Sequence, residues 1–285
     1  MAAIGAGYDL SVSTFSPDGR IFQVEYASKA VDSGNTSVGI VCKDGILFAA
    51  EKFLPNKMTV PGTSPRIFAV DRHVTIAVGG FIADAREIVY RARLEAKEYR
   101  RVYDEPIPAQ VLSERLALFL HAYTLAWSER PFGAAIILGV CEEAYDSVNL
   151  SENITVEDKT LKKQPKFSLY SIDAAGACYK FFGVAIGKGR QIVKTEIEKL
   201  DRQNKTCEEC LIPVATLMRR AHDDTKIRDV ELEMAWICFS SNFEHAMVPR
   251  TKVQEAVREA NASIENQDIE IQNVGHQLTE DVDMA

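Results

Sequence analysis

Between Arg20 and Asp32 the apolar residues Ile21, Val24, Ala27 and Val31 fall at helical spacing, which predicts a short amphipathic helix closed by Gly34. Ahead of it, residues 1–18 are small and glycine-containing, ending in the turn Ser16-Pro17-Asp18-Gly19. From Thr36 the period changes. Ser37–Cys42 and Ile46–Glu51 read as strands joined through Lys43-Asp44-Gly45, and Ile67–Val70 and Val74–Val78 as a second hairpin joined through Asp71-Arg72-His73. Two successive hairpins predict an antiparallel sheet. A long charged helix follows over Asp84–Tyr103, with Ile88, Val89, Ala92, Tyr99 and Val102 on its buried side, ended by Pro106 and Pro108. Val111–Ser128 repeats the pattern with Leu112, Leu116, Phe119, Leu120 and Tyr123, so two helices should pack antiparallel.

The second half predicts strands over Ala134–Cys141, Phe167–Ile172 and Cys178–Val184, then a helix over Arg190–Leu200. A helix over Cys207–His222, bent at Pro213, a strand over Val230–Phe239 and a helix over Thr251–Ile264 complete it. Thr206 with Glu209 and Thr251 with Gln254 have capping-box spacing. Strands followed by helices in each half make the fold class α+β, with helices segregated onto sheet faces. Glu142–Lys166 interrupts the pattern and reads as a long mobile hairpin loop, acidic and then basic. Its Lys162-Lys163-Gln164-Pro165-Lys166 run is a solvated loop by default, with nuclear localisation or an acidic partner as the other reading. Gly187-Lys188-Gly189-Arg190 lacks the glycine spacing of a nucleotide loop and reads as a tight turn entering a helix.

The formal net charge of −8 over 285 residues argues against a nucleic-acid surface. Six acids and no Lys or Arg over residues 265–285 account for −6 of it, so the remainder is close to neutral. That tail is expected to be solvated, with Thr279 before Glu280-Asp281 a candidate phosphate acceptor. The longest apolar run, Phe132–Cys141, is half of the ~20 residues that a membrane helix needs. The start MAAIGAGYDL has neither a basic region nor an apolar core of a secretory signal, and Ala2 removes a myristoylation signal. The expected compartment is cytoplasm and nucleus. The six cysteines are therefore expected as thiols. Only Cys207-Glu-Glu-Cys210 has redox or metal spacing, and no second Cys/His pair stands at finger or ribbon spacing, so no metal is expected.

The segment from Tyr8-Asp9-Leu10-Ser11 through Phe15-Ser16-Pro17-Asp18-Gly19-Arg20 to Gln23-Val24-Glu25-Tyr26-Ala27 resembles the N-terminal signature of proteasome α-type subunits. Further pieces follow in the family's order: Gly39 with Lys43-Asp44-Gly45, Glu51-Lys52, Val70-Asp71-Arg72-His73, Ala83-Asp84-Ala85-Arg86, Arg130-Pro131-Phe132-Gly133 and Gly187-Lys188-Gly189-Arg190. The resemblance covers roughly residues 4–262. Within the family, Gly5, Gly7-Tyr8-Asp9-Leu10-Ser11, His121-Ala122-Tyr123-Thr124-Leu125 and the acidic tail resemble the branch called α7 or type 3. The fold implied is the four-layer αββα sandwich of N-terminal-nucleophile hydrolases. The layout implied is a gate tail over 1–18, an α-type domain over 19–264 with 142–166 inserted, and an acidic tail over 265–285.

The resemblance also implies what chemistry is missing. Catalytic relatives attack with an N-terminal threonine whose free amine helps move the proton. By similarity the nucleophile position falls at Asn35, with Thr36 beside it, the acid at Glu51 and the lysine at Arg66. Asn cannot attack, and an arginine with a pKa above ~12 cannot exchange a proton near neutrality. No peptidase activity and no cofactor are expected. The expected partners are neighbouring α subunits, β-ring subunits and the C-terminal tails of regulatory ATPases or activators. The surplus apolar residues Phe22, Tyr26 and Val31 of the first helix suit such an interface.

Gate residues carry over onto Tyr8, Asp9, Pro17 and Tyr26, and the activator pocket onto Arg66, Gly80 and Phe81. About 12 residues at ~3.3 Å each reach roughly 40 Å, enough to cross a pore. Leu10 departs from the arginine that many α-types carry there. Two other readings stand beside this one: an active N-terminal-nucleophile hydrolase, and a free-standing protein- or nucleic-acid-binding subunit.

Overall fold

The computed structural model describes residues 7–53, 58–60, 62–144, 164–222 and 230–265. Its elements are α1 (Phe22–Asp32), β1 (Ser37–Val41), β2 (Gly45–Phe53), β3 (Ile67–Asp71), β4 (Val74–Gly80), α2 (Ile82–Tyr103), α3 (Ala109–Ala122), β5 (Ala134–Ala144) and β6 (Gln164–Ile172). Then come β7 (Cys178–Phe181), β8 (Gly183–Ile186), α4 (Arg190–Lys199), α5 (Leu211–Arg220), β9 (Val230–Cys238), β10 (Ala246–Met247) and a last helix, α6, over 250–265. Two antiparallel sheets result, ordered β10-β9-β2-β1-β8 and β3-β4-β5-β6-β7.

Three apolar cores hold four layers together. Val38, Ile40, Leu47 and Ala49 of the first sheet meet Val193 and Ile197 of α4, Val214 and Met218 of α5, and Ala256 and Ala260 of α6. Ile46, Phe48 and Ala50 on the opposite face of β2 meet Ala77, Ile137 and Leu169 of the second sheet. Beyond it, Ile76, Val78, Ile136 and Leu138 meet Ile88 and Ala92 of α2 and Leu112, Leu116 and Leu120 of α3. This is the αββα sandwich that the family resemblance implies. With both faces of β1, β2, β4 and β5 covered, those strands are continuous apolar runs rather than alternating ones. Helices α2 and α3 run antiparallel: Arg91 lies over the Phe119 ring, while Arg115 bonds Glu95 and lies over the Tyr99 ring.

Several elements differ from the sequence pattern. The two early hairpins fall in different sheets, because the chain crosses the sandwich between Phe53 and Ile67. The segment 178–184 is two strands: β7 pairs with β6 in one sheet and β8 with β1 in the other. At the crossing the Val41 N–H donates to the Phe182 carbonyl over 2.8 Å, and a Cβ on Gly183 would stand 2.7 Å from Ile197 Cγ2, so glycine lets the chain pass beneath α4. An apolar run touching cores on both sides carries no mark of that switch.

The hairpin over 142–166 is shorter than its polarity suggested, since β5 runs on to Ala144 and β6 starts at Gln164, pairing Glu142 with Lys166. Residues 145–163, including Lys162 and Lys163, lie outside the described residues. Thr206 and Glu209 do close a reciprocal capping box, with the Thr206 N–H donating to Glu209 Oε2 over 2.8 Å and the Glu209 N–H to Thr206 Oγ1 over 3.3 Å. It caps a turn, however, and α5 begins only at Leu211. Pro213 then occupies the first turn of α5, where its missing N–H costs no bond and bends nothing.

Helix α6 starts at residue 250, and the Val253 N–H donates to the Pro249 carbonyl over 3.1 Å, so Thr251 lies inside the first turn rather than at the cap. Val102 is exposed at the end of α2, whose buried side is Ala85, Ile88, Val89, Ala92 and Ala96. Phe22 and Val31 are buried within their own chain, which leaves Tyr26 as the exposed member of the surplus apolar set on α1.

Candidate functional site

The turn Gly34-Asn35-Thr36 enters β1 and lies beside the end of β2. Asn35 is buried; its side-chain amide donates to the Glu51 carbonyl over 2.9 Å, and the Thr36 N–H points at Glu51 Oε2 at 3.5 Å. The other Glu51 oxygen, Oε1, contacts His222 Nδ1. Thr36 Oγ1 accepts the Gly189 N–H over 3.0 Å, and the Lys188 N–H donates to the Gly34 carbonyl over 3.1 Å. Those two bonds dock the Gly187–Arg190 turn onto the start of β1. Gly187 has φ +96°, and a Cβ there would stand 2.2 Å from the Asn35 carbonyl oxygen, so only glycine fits.

This is the corner at which the family resemblance expects the nucleophile position, and its polar groups are taken up by bonds within the chain. Asn35 is joined to Gly34 by a peptide bond, so no free amine adjoins a nucleophile. The Thr36 hydroxyl holds a backbone N–H instead of facing open space. Among the described residues, Gly34, Thr36, Glu51, Phe53, Lys188 and His222 line a small cleft at this corner.

Arg66 does not join Asn35 and Glu51. Its N–H donates to Glu233 Oε2 over 2.7 Å and its guanidinium Nη1 donates to the Gly80 carbonyl over 2.9 Å. Burial lowers the guanidinium pKa, opposed by the nearby Glu233 carboxylate, and burial raises the pKa of Glu233 in turn. Arg66 and Gly80 are thus brought together. Gly80 has φ +89°, and its Cβ would collide with the Gly133 carbonyl oxygen at 2.3 Å. Phe81 follows with its ring exposed and its N–H donating to that same Gly133 carbonyl over 2.9 Å.

At the other end of the sequence motif, Ser16 closes the turn before α1: its Oγ accepts the Arg20 N–H over 3.1 Å and its carbonyl the Gly19 N–H over 2.9 Å. Val12 is buried, and the Gln23 amide donates to the Asp9 carbonyl, so the tail is tied to α1 as far out as Asp9. Tyr8, Pro17 and Tyr26 are exposed, and among the described residues no hydrogen bond or ring contact joins them to one another. Residues 1–6 and Thr279 lie outside the described residues.

Sequence reasoning missed His222 and Glu233, which reach these corners from just past α5 and from β9, with nothing local to mark them; it marked the Gly187–Arg190 turn but not that Lys188 docks on Gly34. It also left the cysteines apart, although Cys42, Cys207, Cys210 and Cys238 are buried near one another.

Two family models match the chain: that of the proteasome subunit over residues 31–149 and 160–237, and that of the N-terminal signature of A-type proteasome subunits over residues 8–30. Among curated relatives, the alpha type-3 proteasome subunit of Spinacia oleracea is 47% identical over 268 residues, covering 94% of this chain and 99% of the relative. The protein of that name from Arabidopsis thaliana has the same identity and coverage. The probable alpha type-7 proteasome subunit of Saccharomyces cerevisiae is 39% identical over 272 residues, covering 94% and 87% of the two chains.

Proposed function

The chain belongs to the family of proteasome α-type subunits, and on that footing we propose that it gates substrate entry and docks regulators in the particle it helps to build. Subunits of this type are non-catalytic ring members of the 20S core particle, and the chain assembles with other proteasome subunits. What supports the non-catalytic part of the reading is the corner at Asn35, which the resemblance aligns with the nucleophile and which holds a buried amide hydrogen-bonded to the Glu51 carbonyl. What remains is a scaffold with a tail.

In the gate, Pro17 fixes the turn at the base of the tail, and Tyr8 and Tyr26 offer rings to neighbouring tails. Exposed Leu10 offers a neighbour no charge, so this tail contributes through packing rather than through an ion pair. In docking, Arg66, Gly80 and Phe81 line one side of a groove between subunits. A guanidinium has five N–H donors, and the Gly80 carbonyl takes one, so a carboxylate at the end of an activator tail has donors to meet. The β rings and regulatory ATPases or activators are the further partners. Large exposed side chains, among them Tyr26, Phe81, Leu125, Trp127 and Phe182, suit a body that packs against neighbours. No described helix is long and apolar enough to cross a membrane, and the compartments that we infer are cytoplasm and nucleus.

Native sizing tests the assembly: the chain should co-elute with a particle of several subunits, whereas a stable monomer contradicts it. Deleting residues 2–9 in assembled particles tests the gate. Basal hydrolysis of a fluorogenic peptide should rise; unchanged basal hydrolysis rejects the gate role.

A further inference from the structure

At one end of the first sheet, where β2 begins and β1 and β9 finish, three segments distant in sequence bring together four thiols and a carboxylate. The β1–β2 turn supplies Cys42 and Asp44, the turn before α5 supplies Cys207 and Cys210, and the end of β9 supplies Cys238. Main-chain bonds fix the segments to one another. The Lys43 N–H donates to the Lys205 carbonyl over 3.0 Å, the Phe239 N–H to the Asp44 carbonyl over 3.3 Å, and the Cys207 N–H to Asp44 Oδ1 over 2.7 Å. The donor atoms of Asp44, Cys207 and Cys238 all lie within 4.8 Å of one another. Cys42, on the same turn as Asp44, and Cys210, one turn from Cys207, are buried beside them.

From this cluster we propose that the chain carries a site for a thiophilic divalent cation of the zinc class, held by Asp44, Cys207 and Cys238 with Cys42 as the fourth donor. Tetrahedral zinc with bonds of about 2.3 Å to sulfur sets its donors about 3.8 Å apart, so the present spacing needs a contraction of about 1 Å at most. Cys42, buried on the same turn as Asp44, is the thiol that the proposal draws in as the fourth donor. Binding displaces the thiol protons to solvent and leaves three thiolates and one carboxylate on the dication, a net charge of −2 at the site. The carboxylate distinguishes this cluster from cysteines that merely fill a core. A small apolar side chain gains nothing from a neighbouring acid, whereas a cation does.

The spacing rule that discounted Cys207-Glu-Glu-Cys210 asked for a second pair close in sequence. The fold supplies the remaining donors from positions more than 160 residues apart instead. A site here would clamp the β1–β2 turn to the α5 turn and to β9, stiffening the helix-covered side of the sandwich.

The test uses the full-length chain, reduced, stripped with a chelator, incubated with zinc chloride or cobalt chloride and desalted. Elemental analysis should find one retained zinc per chain, and the cobalt form should show thiolate-to-metal charge-transfer and tetrahedral d–d absorption. Both should be lost in the Cys207→Ser, Cys238→Ser double variant and kept in Cys178→Ser, which lies outside the cluster. If the double variant does not fold, Asp44→Asn keeps an oxygen for the Cys207 N–H while removing the charged ligand, and should lose the retained equivalent. No retained zinc in the native wild type, cobalt bound without the thiolate band, or undiminished retention in Asp44→Asn each overturns the proposal. So does a Cys42–Cys207 disulfide in the native chain by mass spectrometry, which would mark the cluster as a redox pair.

Discussion

Asp84 and Arg130, 46 positions apart, meet side-on: Oδ2 accepts from Nη1 and Oδ1 from Nη2, each over 2.8 Å, while Oδ2 also accepts the Gly133 N–H over 2.8 Å. Two separate pieces of the family pattern, Ala83-Asp84-Ala85-Arg86 and Arg130-Pro131-Phe132-Gly133, are therefore one structural unit. It ties the first turn of α2 to the strand entry of β5, and a carboxylate there also faces the positive end of the helix.

Asp84→Asn keeps the shape and removes the charge. Because the Arg130 side chain is 65% exposed, the expected loss is about 1 kcal/mol, well under that of a buried pair. The hydrogen bond from Arg130 is the main cause holding the Asp84 carboxyl below its ordinary range. A depressed carboxyl stabilises the fold fully above the unfolded value, about 3.9, and loses that contribution as pH falls through the folded value. Urea unfolding should show wild type and variant differing at pH 7 and converging below about pH 4. A constant difference would contradict the assignment.

His245 gives a second pH dependence nearer neutrality. Its Nδ1 is 2.7 Å from Oγ1 of the buried Thr75, its backbone N–H donates to the Arg72 carbonyl over 2.7 Å, and burial lowers the ring pKa. As pH drops past the unfolded value of about 6.5, the unfolded chain takes up the proton first, so stability declines from there toward the folded value. In His245→Gln the part of the decline between pH 7.5 and 5.5 owed to this ring should vanish. Urea midpoints of the two proteins across that range decide it.

The family pattern, the hairpins and the amphipathic helices were legible because each depends on neighbours within a few positions. Which sheet each hairpin joins was not, since β2 and β4 carry apolar residues on both faces and look alike. The split at Phe182 and Gly183 was hidden for the same reason. Asn35 and Glu51 could be placed together by resemblance, whereas His222 on Glu51 and Gly80 on Arg66 depend on packing between distant elements. Val102 fitted a helical stripe and is nonetheless exposed, because the α2 stripe loses its cover at its last turn.

Glycine sets the spacing of the two sheets. A Cβ on Gly139 of β5 would stand 2.2 Å from Cζ of Phe48, which is fully buried and cannot swing into solvent. Gly139→Ala should cost about 1–3 kcal/mol in chemical denaturation. Phe48→Leu alone should also destabilise by leaving space, yet the double variant should be more stable than the two losses added together, because the smaller side chain admits the new methyl. Simple additivity would show that the sheets relax apart instead.

Arg66 is the most direct test of regulator docking. The residue holds the Gly80 carbonyl with one N–H, and although burial lowers its pKa, an arginine starting above ~12 stays a cation at neutral pH. In assembled particles Arg66→Ala should abolish this subunit's share of the peptide hydrolysis stimulated by an activator's C-terminal tail. Arg66→Lys should keep part of it, since an ammonium offers a point charge without the planar fork. A lysine ammonium can also donate to the Gly80 carbonyl, so the separation from a purely structural role comes from measuring basal hydrolysis alongside: loss of stimulation in Arg66→Ala with basal hydrolysis and particle assembly unchanged marks carboxylate binding. Undiminished stimulation in Arg66→Ala rejects the pocket. Glu233→Gln supplies the control, because it keeps an acceptor for the Arg66 N–H and should leave stimulation intact.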